Sequence, residues 1–493
     1  MKDSNKVMQL LTSYHYKNTP MGILATVKTA NGKEDVPITS DLFYSLVALE
    51  FQNRNEGETV SRGAIKDAVF NFKGRIIATV PQQENKLRVS MSEDSSIIRI
   101  NKGDRDGHYY KITKNGWSEE SDGENYFASD PMLASLPDPA PDAQIIDIKR
   151  IFKYCRIPTD KQTVFLAFLV SCFIDIIHPC LVLQGEAGSS KTTVSKIIKM
   201  LIDPSRNNAP CIFPDNPLKL KDIYAHSYVI AYDNLARLSK NQSNVLCSIV
   251  TGSQLILRIL FTDSDVKTYE LKQPIILNGI QSIVNEKDMI DRSIIVELPS
   301  IDSSERKSER ALMMHYQEDL PYIWGAILQI LPKVLKKYKP DSLTDIPRLA
   351  DFYEYGFYIC EAMEKGLGKR FCTEYHNLLK DQEDPISEDD KMFIEFLQCY
   401  LDQKITQPKT AFSTTIGSLY TDLKELKEEY EDYDINFALR NSPAWMAKDL
   451  RRLSEPLKRA GIYTQFSATS DNCSSITFYC PDLWDKANNK SQF

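Results

Sequence analysis

Residues 185–193 have the types and spacing that bind a nucleotide phosphate. They read Gly185, Glu186, Ala187, Gly188, Ser189, Ser190, Lys191, Thr192 and Thr193. In such a loop the backbone N–H groups surround the phosphate, the lysine neutralises its charge and the next hydroxyl binds Mg²⁺. Ser190 stands where the usual pattern has glycine, so the match is one residue short. The alternative is a Gly/Ser-rich turn with a surface lysine, but a predicted strand before the loop and a helix after it favour binding of ATP and Mg²⁺.

An aspartate at the end of an apolar run is the second candidate. Asp233 follows Tyr228–Tyr232, and a strand placed beside the loop would bring this carboxylate to the Mg²⁺. We therefore predict that Thr192 and Asp233 bind the metal. The next residue is Asn234, where many ATPases have a glutamate that activates the attacking water. Three explanations stay open: Asn234 positions the water, a carboxylate from elsewhere acts as the base, or turnover is slow.

Two further polar residues adjoin apolar strands. Asn278 ends one of them, and it either orients the attacking water or caps a turn before Gly279. Arg292 precedes another strand. It either reaches the γ-phosphate of a neighbouring subunit, where it would stabilise the transition state, or forms a surface ion pair with Asp288 or Asp291.

A β-hairpin is predicted between the segments that end in Asp233 and Asn278. Leu255–Phe261 and Val266–Leu271 are strand-like, and the polar residues 262–265 form a turn. Its basic residues are Arg258, Lys267 and Lys272. The hairpin either projects from the core and contacts DNA or merely extends a sheet.

A helix near the C-terminus combines an apolar stripe with basic residues. The stripe follows helical spacing and consists of Met446, Leu450, Leu453, Leu457 and Ala460. The basic residues predicted to contact DNA lie off the stripe: Lys448, Arg451 and Arg452. Pro456 kinks or splits this helix, and a hairpin over 463–479 follows it as a wing. This arrangement is typical of helix-turn-helix DNA binding, while a simple packing module is the alternative.

The elements that position these residues predict a multidomain α/β protein with a parallel sheet in its central domain, since short apolar strands alternate with helices. The predicted divisions are an N-terminal α+β domain (1–128), a proline-rich linker (129–142), an ATPase core (143–300), a helical lid (301–380), an acidic linker (381–390) and a C-terminal winged helix (391–493).

Composition limits the function classes. The 493 residues include 60 basic and 67 acidic ones, for a net charge of −7, which excludes nucleic-acid binding by bulk charge. The 10 cysteines form no CxxC pair and indicate reduced thiols. The apolar stretch 164–183 contains Asp175, His178 and Pro179, so we predict a core helix and a buried strand instead of a membrane span. We expect a cytoplasmic protein of a bacterial host, without a membrane partner.

The order of these elements resembles the AAA+ ATPases of the hairpin-bearing helicase clade, which includes MCM-like and superfamily 3 helicases. The wider arrangement resembles the self-loading replication-initiator helicases of staphylococcal pathogenicity islands. The resemblance covers roughly residues 140–300 by motif and the flanks by architecture. It implies that Asn278 is the sensor residue, that Arg292 acts in trans, that the N-terminal domain is a collar, and that a homohexamer surrounds DNA with the hairpin in its channel.

Two functions are therefore carried forward. The first is an ATP-dependent DNA helicase and replication initiator of a mobile genetic element, which loads itself at its origin and translocates on single-stranded or forked DNA. The second is a non-translocating AAA+ helicase loader or DNA-bound regulator that uses ATP as an assembly switch. The resemblance also implies an arginine in the lid, for which Arg306 and Arg310 are candidates.

Overall fold

The structure is a computed structural model that describes residues 3–19, 22–30, 32–82, 86–104, 106–121, 126–214, 219–258, 266–280, 283–301, 308–383, 388–405, 411–429, 442–468 and 474–479. The chain forms two compact units, Met1–Leu379 and Lys380–Phe493. The domain boundaries predicted from the sequence inside the first unit stay predictions.

The first part of unit 1 contains three helices and two antiparallel sheets. The helices are α1 (Asp3–Leu11), α2 (Asp41–Arg54) and α3 (Arg62–Thr79). One sheet has the order β1 (His15–Thr19), β2 (Gly22–Thr29), β3 (Gly32–Pro37), and the other β4 (Val89–Met91), β5 (Ile97–Asn101), β6 (His108–Thr113), β7 (Gly116–Ser121). Side chains from α1–α3 and β2–β3 form one hydrophobic core, whereas β4–β6 contribute to the larger core of the unit.

A four-stranded parallel sheet lies in the middle of unit 1, as predicted. Its order is β13 (Ser293–Glu297), β8 (Cys180–Gln184), β12 (Ile275–Gly279), β9 (Ile230–Leu235). The helices of this region are α4 (Gln162–Ser171), α5 (Lys191–Ile202), α6 (Leu220–Tyr224), α7 (Lys240–Val250) and α8 (Lys287–Ile290). Every residue of α4 after Gln162 is buried, which confirms the predicted core helix before β8. Because the strands are parallel, their carboxyl ends meet at one edge, where α5 begins.

The predicted hairpin is present between α7 and β12. Strands β10 (Ser253–Arg258) and β11 (Val266–Leu271) pair antiparallel as a two-stranded sheet separate from the parallel one. The predicted turn, as well as the side chains of Arg258 and Lys267, lies outside the described part of the structure.

Long helices follow the parallel sheet in unit 1, in the region 301–380 for which the sequence predicts a helical lid. They are α9 (Glu309–Lys337), α10 (Ala350–Met363) and α11 (Leu367–Glu383). The proline-rich segment before the core packs on α9, since the Ala140 N–H donates to the Pro321 carbonyl at 3.0 Å. A Cβ on Gly325 would come within 2.5 Å of the Ala143 side chain, so glycine permits this close approach.

A buried ion pair holds the second antiparallel sheet against α5. Arg88, next to β4, is fully buried and donates from Nε to Oδ1 of Asp203 at 3.2 Å. Asp203 caps the C-terminus of α5 and also accepts from the backbone N–H groups of Tyr228 and Val229. Because removing one partner of such a pair leaves a buried charge, this contact fixes the end of α5 opposite the phosphate-binding loop.

In its described residues, unit 2 combines four helices with a three-stranded antiparallel sheet. The chain order is α12 (Glu388–Lys404), β14 (Ala411–Thr415), α13 (Ile416–Glu429), α14 (Pro443–Arg452), α15 (Ser454–Arg459), β15 (Tyr463–Ala468), β16 (Ser474–Tyr479). The predicted hairpin β15–β16 is confirmed, and β14 pairs with its second strand. Met446, Leu450, Leu453 and Leu457 are buried, and the helix divides near Leu453 with Pro456 in the first turn of α15, as predicted.

Candidate functional site

The loop between β8 and α5 requires unusual backbone conformations. Gly185 has φ 149° and Gly188 has φ 86°. A Cβ on Gly185 would lie 2.6 Å from the carbonyl oxygen of Leu298, so only glycine fits there. Its N–H donates to the Ile280 carbonyl at 2.8 Å, which ties the loop to the end of the neighbouring strand β12. The sheet therefore holds the loop at its carboxyl edge.

Lys191 lies at the start of α5, and its ammonium group points back into the loop. Nζ donates to the carbonyl oxygens of Gly185 at 2.8 Å and Glu186 at 2.7 Å, and to Oγ of Ser189 at 3.2 Å. Partial burial lowers the pKa of Lys191, while the Asp233 carboxylate acts in the opposite direction. These contacts place a cation beside the backbone N–H groups that open α5, which is the donor set that fits a phosphate.

Ser190, the departure from the usual pattern, has the left-handed φ of 62°. Such a backbone costs a side chain about 1–2 kcal/mol but costs glycine almost nothing. We predict that Ser190→Gly is folded and binds nucleotide at least as well as the wild type, with a melting temperature equal or higher. Ser190→Val should lower both, since a β-branched residue tolerates this backbone poorly. Thermal unfolding and nucleotide titration of both variants test this; equal behaviour of the two would contradict it.

The two predicted metal ligands lie together. Thr192 donates from Oγ1 to Oδ2 of Asp233 at 2.8 Å, although β12 separates β8 from β9. A hydroxyl and a carboxylate at one point of the sheet edge are the oxygen ligands that Mg²⁺ uses, together with water and phosphate. The residues present therefore fit the metal that the sequence pattern implies.

Asn234 follows with an exposed side chain and a left-handed φ of 56°. Its N–H donates to Oδ1 of the preceding Asp233 at 2.9 Å, so this turn uses the second carboxylate oxygen. Asparagine tolerates this conformation better than most residues. The turn thus orients Asp233, and the source of a catalytic base stays open.

Asn278 at the end of β12 is fully buried. Its Oδ1 accepts from Oγ of Ser195 at 2.8 Å, while Nδ2 has no hydrogen-bond partner among the described residues. Ser195 lies one turn after Lys191 on α5, and the sequence analysis did not identify it. The contact links the predicted sensor to the helix that begins at the loop, and it leaves one buried donor for a further acceptor.

A cavity of about 910 Å³ adjoins the loop and falls in the size range of ligand pockets. The loop side contributes Gly188, Ser189, Ser190, Thr193 and Val194, and the opposite side Phe152, Lys153, Tyr154, Arg156, Ile301, Leu312, His315, Glu318 and Asp319. Although burial acts to raise it, hydrogen bonds from Lys153, Arg150 and Tyr154 lower the pKa of Asp319 to about 2. Apart from the loop, no residue of this wall was predicted, because its members come from distant segments without a motif.

The predicted trans-acting Arg292 lies next to Cys180, at the amino-terminal edge of the sheet and away from the loop of its own chain. Its side chain is only 8% exposed and donates from Nη1 to Oδ1 of Asp288 at 2.7 Å. Arg348 contacts the same Oδ1 at 2.7 Å and is 46% exposed. The ion pair weighed as the alternative for Arg292 is present, with the Arg292 side chain buried and the Asp288 side chain 55% exposed, and the trans role of Arg292 stays a prediction. Arg348 was missed because it is distant in sequence.

The predicted DNA-contacting residues differ in their surroundings. Lys272 pairs with Asp175 at 2.9 Å, and both terminal nitrogens of Arg452 bind the Asp390 carboxylate, at 2.8 and 2.6 Å. Lys448 and Arg451 instead lie over aromatic rings. Of the lid candidates, Arg310 is exposed in the first turn of α9, and Arg306 lies outside the described residues. These DNA contacts and lid roles stay predictions.

The site is thus a strand–loop–helix element that brings the Lys191 ammonium, the Thr192 hydroxyl and the Asp233 carboxylate to one edge of a parallel sheet. Residues 148–385, just under half of the chain, match the family of actinomycete integrative conjugative element replication proteins (RepA). The matched segment contains every predicted nucleotide-site residue. No curated protein matches the chain.

Two solved structures align with this chain. The apo structure of the NrS-1 C-terminal region is 11% identical with a TM-score of 0.41, and the alignment covers 96% of this chain and 98% of that one. The JCV helicase is 12% identical with a TM-score of 0.25, and the alignment covers 48% of this chain and 60% of that one.

None of the helices in the described residues has the length and apolar character needed to span a membrane.

Proposed function

We propose that this protein is an ATP-dependent DNA helicase and replication initiator of a mobile genetic element. The observation that carries the proposal is the arrangement of Lys191, Thr192 and Asp233 at one edge of a parallel sheet, with Thr192 and Asp233 only 2.8 Å apart. ATP and Mg²⁺ are the cofactors this arrangement fits: phosphates at the loop and α5, the metal at Thr192 and Asp233, and the rest of the nucleotide in the adjoining cavity. The matched family of replication proteins supports the role in replication.

A homohexameric ring is part of the proposal. Arg292 and Arg348 lie at the sheet edge opposite the loop, so they cannot serve the nucleotide of their own chain but can serve that of a neighbour. Head-to-tail contacts of this kind close into rings. The hairpin β10–β11 stands apart from the parallel sheet and is proposed to follow DNA in the channel, as the hairpin-clade resemblance implies.

Unit 2 is proposed to be a winged helix that recognises the origin of the element. Support comes from the order of the described elements: a helix, a strand, the three helices α13, α14 and α15, and a hairpin whose second strand pairs with β14. Helix α14 would enter the groove. Lys448 and Arg451 are better placed than Arg452 for phosphate contacts, because Asp390 already binds the Arg452 guanidinium.

A fork-unwinding assay tests the helicase. We expect the full chain to separate a forked duplex with ATP and Mg²⁺, and to lose this activity when the Mg²⁺ is chelated or ATP is replaced by a non-hydrolysable analogue. The initial rate of strand displacement is measured on a dye-labelled fork. ATP hydrolysis without any strand separation, on forks with either single-stranded tail, would contradict the helicase.

That outcome would favour the second candidate, a loader or regulator that uses ATP as an assembly switch. The observation in its favour is Asn234, which stands exposed beside Asp233 where a catalytic glutamate is usual. Slow turnover suits a switch better than a motor. Nucleotide-dependent assembly, measured by light scattering with and without ATP, together with absent unwinding, identifies this alternative.

A further inference from the structure

Helix α14 exposes an aromatic ring beside two cations. Trp445 is 59% exposed, whereas its neighbours Met446 and Ala447 are buried. The Lys448 ammonium lies 4.5 Å from the centre of the Trp445 ring. The Arg451 guanidinium lies 4.7 Å from the centre of the Phe466 ring on β15. We call Trp445, Lys448 and Arg451 the α14 face.

The acidic groups near this face are already paired. Asp390 accepts from both terminal nitrogens of Arg452, and Asp449 accepts from Nε of the same side chain at 3.3 Å. The Arg452 guanidinium thus pairs with two carboxylates. Among the described residues, the Lys448 ammonium contacts the Trp445 ring and the Arg451 guanidinium contacts the Phe466 ring. Cation–aromatic contacts at exposed sites are worth about 0.5–1 kcal/mol, so a phosphate can displace them.

The combination distinguishes between two forms of DNA. In a duplex the faces of the bases are covered by their stacked neighbours, and only base edges are accessible in the grooves. An unpaired base offers its face, and stacking on an aromatic side chain stabilises binding without regard to sequence. A flat, exposed indole next to phosphate-binding cations therefore fits single-stranded DNA better than a groove.

We propose that the α14 face binds single-stranded DNA, such as the unpaired strand of a melted origin. Trp445 stacks on a base, while Lys448 leaves the ring to contact a phosphate and Arg451 contacts the next part of the backbone. The α14 face would then hold either duplex DNA or an opened strand, one at a time, because both use Lys448 and Arg451. The choice of DNA as the ligand rests on the proposed function, whereas the geometry of the α14 face does not depend on it.

The test compares Trp445→Ala and Trp445→Phe in the full-length chain, without nucleotide, on a dye-labelled 20-nucleotide single strand and its duplex. We expect Trp445→Ala to weaken single-strand binding about tenfold, within the range for one stacked base, and duplex binding less than twofold. Trp445→Phe should retain most of the affinity. Trp117→Phe is the matched control, because Trp117 is 39% exposed in unit 1.

A second measurement isolates the indole from other DNA-binding sites. Single-stranded DNA should quench the fluorescence of the wild type and of Trp117→Phe, and quench Trp445→Phe clearly less. Lys448→Ala should lower the slope of log affinity against log salt by about 0.7 on the single strand. Equal losses on both DNA forms, or quenching that does not depend on Trp445, would overturn the proposal.

Failure of this inference differs from failure of the proposed function. If the chain does not hydrolyse ATP but the effect of Trp445 on single strands is found, the α14 face stands and the motor does not. If hydrolysis and unwinding are normal while Trp445→Ala binds both DNA forms as the wild type does, the face alone is refuted. DNA-independent ATP hydrolysis by Trp445→Ala should equal that of the wild type, which shows that unit 1 is intact, and duplex binding within twofold of the wild type shows that unit 2 is folded.

Discussion

We expect the Lys191→Ala variant to hydrolyse ATP at least about a hundredfold more slowly than the wild type, which is the effect of removing one preorganised charge-stabilising group. The Lys191 ammonium is held by the carbonyl oxygens of Gly185 and Glu186, and phosphate oxygens would replace these acceptors when nucleotide binds. Alanine leaves the backbone N–H groups of the loop in place, so weak binding survives while charge on the γ-phosphate is no longer neutralised. Phosphate release at saturating Mg²⁺ and ATP measures the loss.

Lys196→Ala is the matched control on the same helix. Lys196 lies five residues further along α5 and pairs with Glu309 at 2.7 Å, away from the loop. The Lys196→Ala substitution removes the same charge as Lys191→Ala and tests whether helix α5 tolerates an alanine. Near-normal turnover in Lys196→Ala together with a large loss in Lys191→Ala supports the proposed nucleotide site. Normal turnover in Lys191→Ala would contradict the proposal that the protein is an ATP-driven motor.

The strand–loop–helix and the parallel sheet were predictable because their signals are local. Cys180–Gln184 is an apolar run that folds as a strand buried along almost its whole length, and the glycines and lysine follow at fixed spacing. The runs that became β9, β12 and β13 carry the same signal, since strands covered on both faces are apolar throughout. Strand β9 extends past the predicted run 228–232 because the polar residues Asp233 and Asn234 remain within the strand.

Contacts between distant polar residues could not be predicted in this way. Strand β1 contains Lys17, which the sequence pattern alone would place on the surface. In the structure its side chain is buried and pairs with Asp35 on β3 at 2.7 Å. Ser195 and Asn278 meet only because α5 packs on β12. Arg88 carries no motif, yet it fixes the end of α5 through Asp203. Each depends on a partner that only the fold supplies.

The same limit applies to the arginine that is proposed to act between subunits. The motif directs attention to Arg292, but the structure buries its side chain and pairs it with Asp288. Hydrogen bonding from Arg292 lowers the pKa of Asp288, so that carboxylate stays charged and also holds Arg348. We infer that Arg292 fixes Asp288 and that Arg348 is the guanidinium that extends to a neighbouring nucleotide.

Arg348→Ala should therefore lower ATP hydrolysis by about a thousandfold, the lower end of the effect of an arginine supplied in trans. The decisive measurement is complementation. When Arg348→Ala and Lys191→Ala chains are co-expressed and assembled in equal amounts, sites with an intact loop and an intact neighbouring arginine form again. Random mixing in a head-to-tail ring restores about a quarter of the sites, whereas an arginine that acts within its own chain restores none.

Arg292→Ala serves as the matched variant in the same experiment. Loss of Arg292 should lower the melting temperature, because a buried side chain that contacts both the carboxylate and the backbone carbonyl of Asp288 is removed. Its loss of hydrolysis should follow from the displaced Asp288. If Arg292→Ala complements Lys191→Ala while Arg348→Ala remains as active as the wild type, the motif-based assignment is right and Arg348 only supports it. If neither variant complements Lys191→Ala, the sites are not shared between chains. The proposed ring would then have no support from the positions of Arg292 and Arg348.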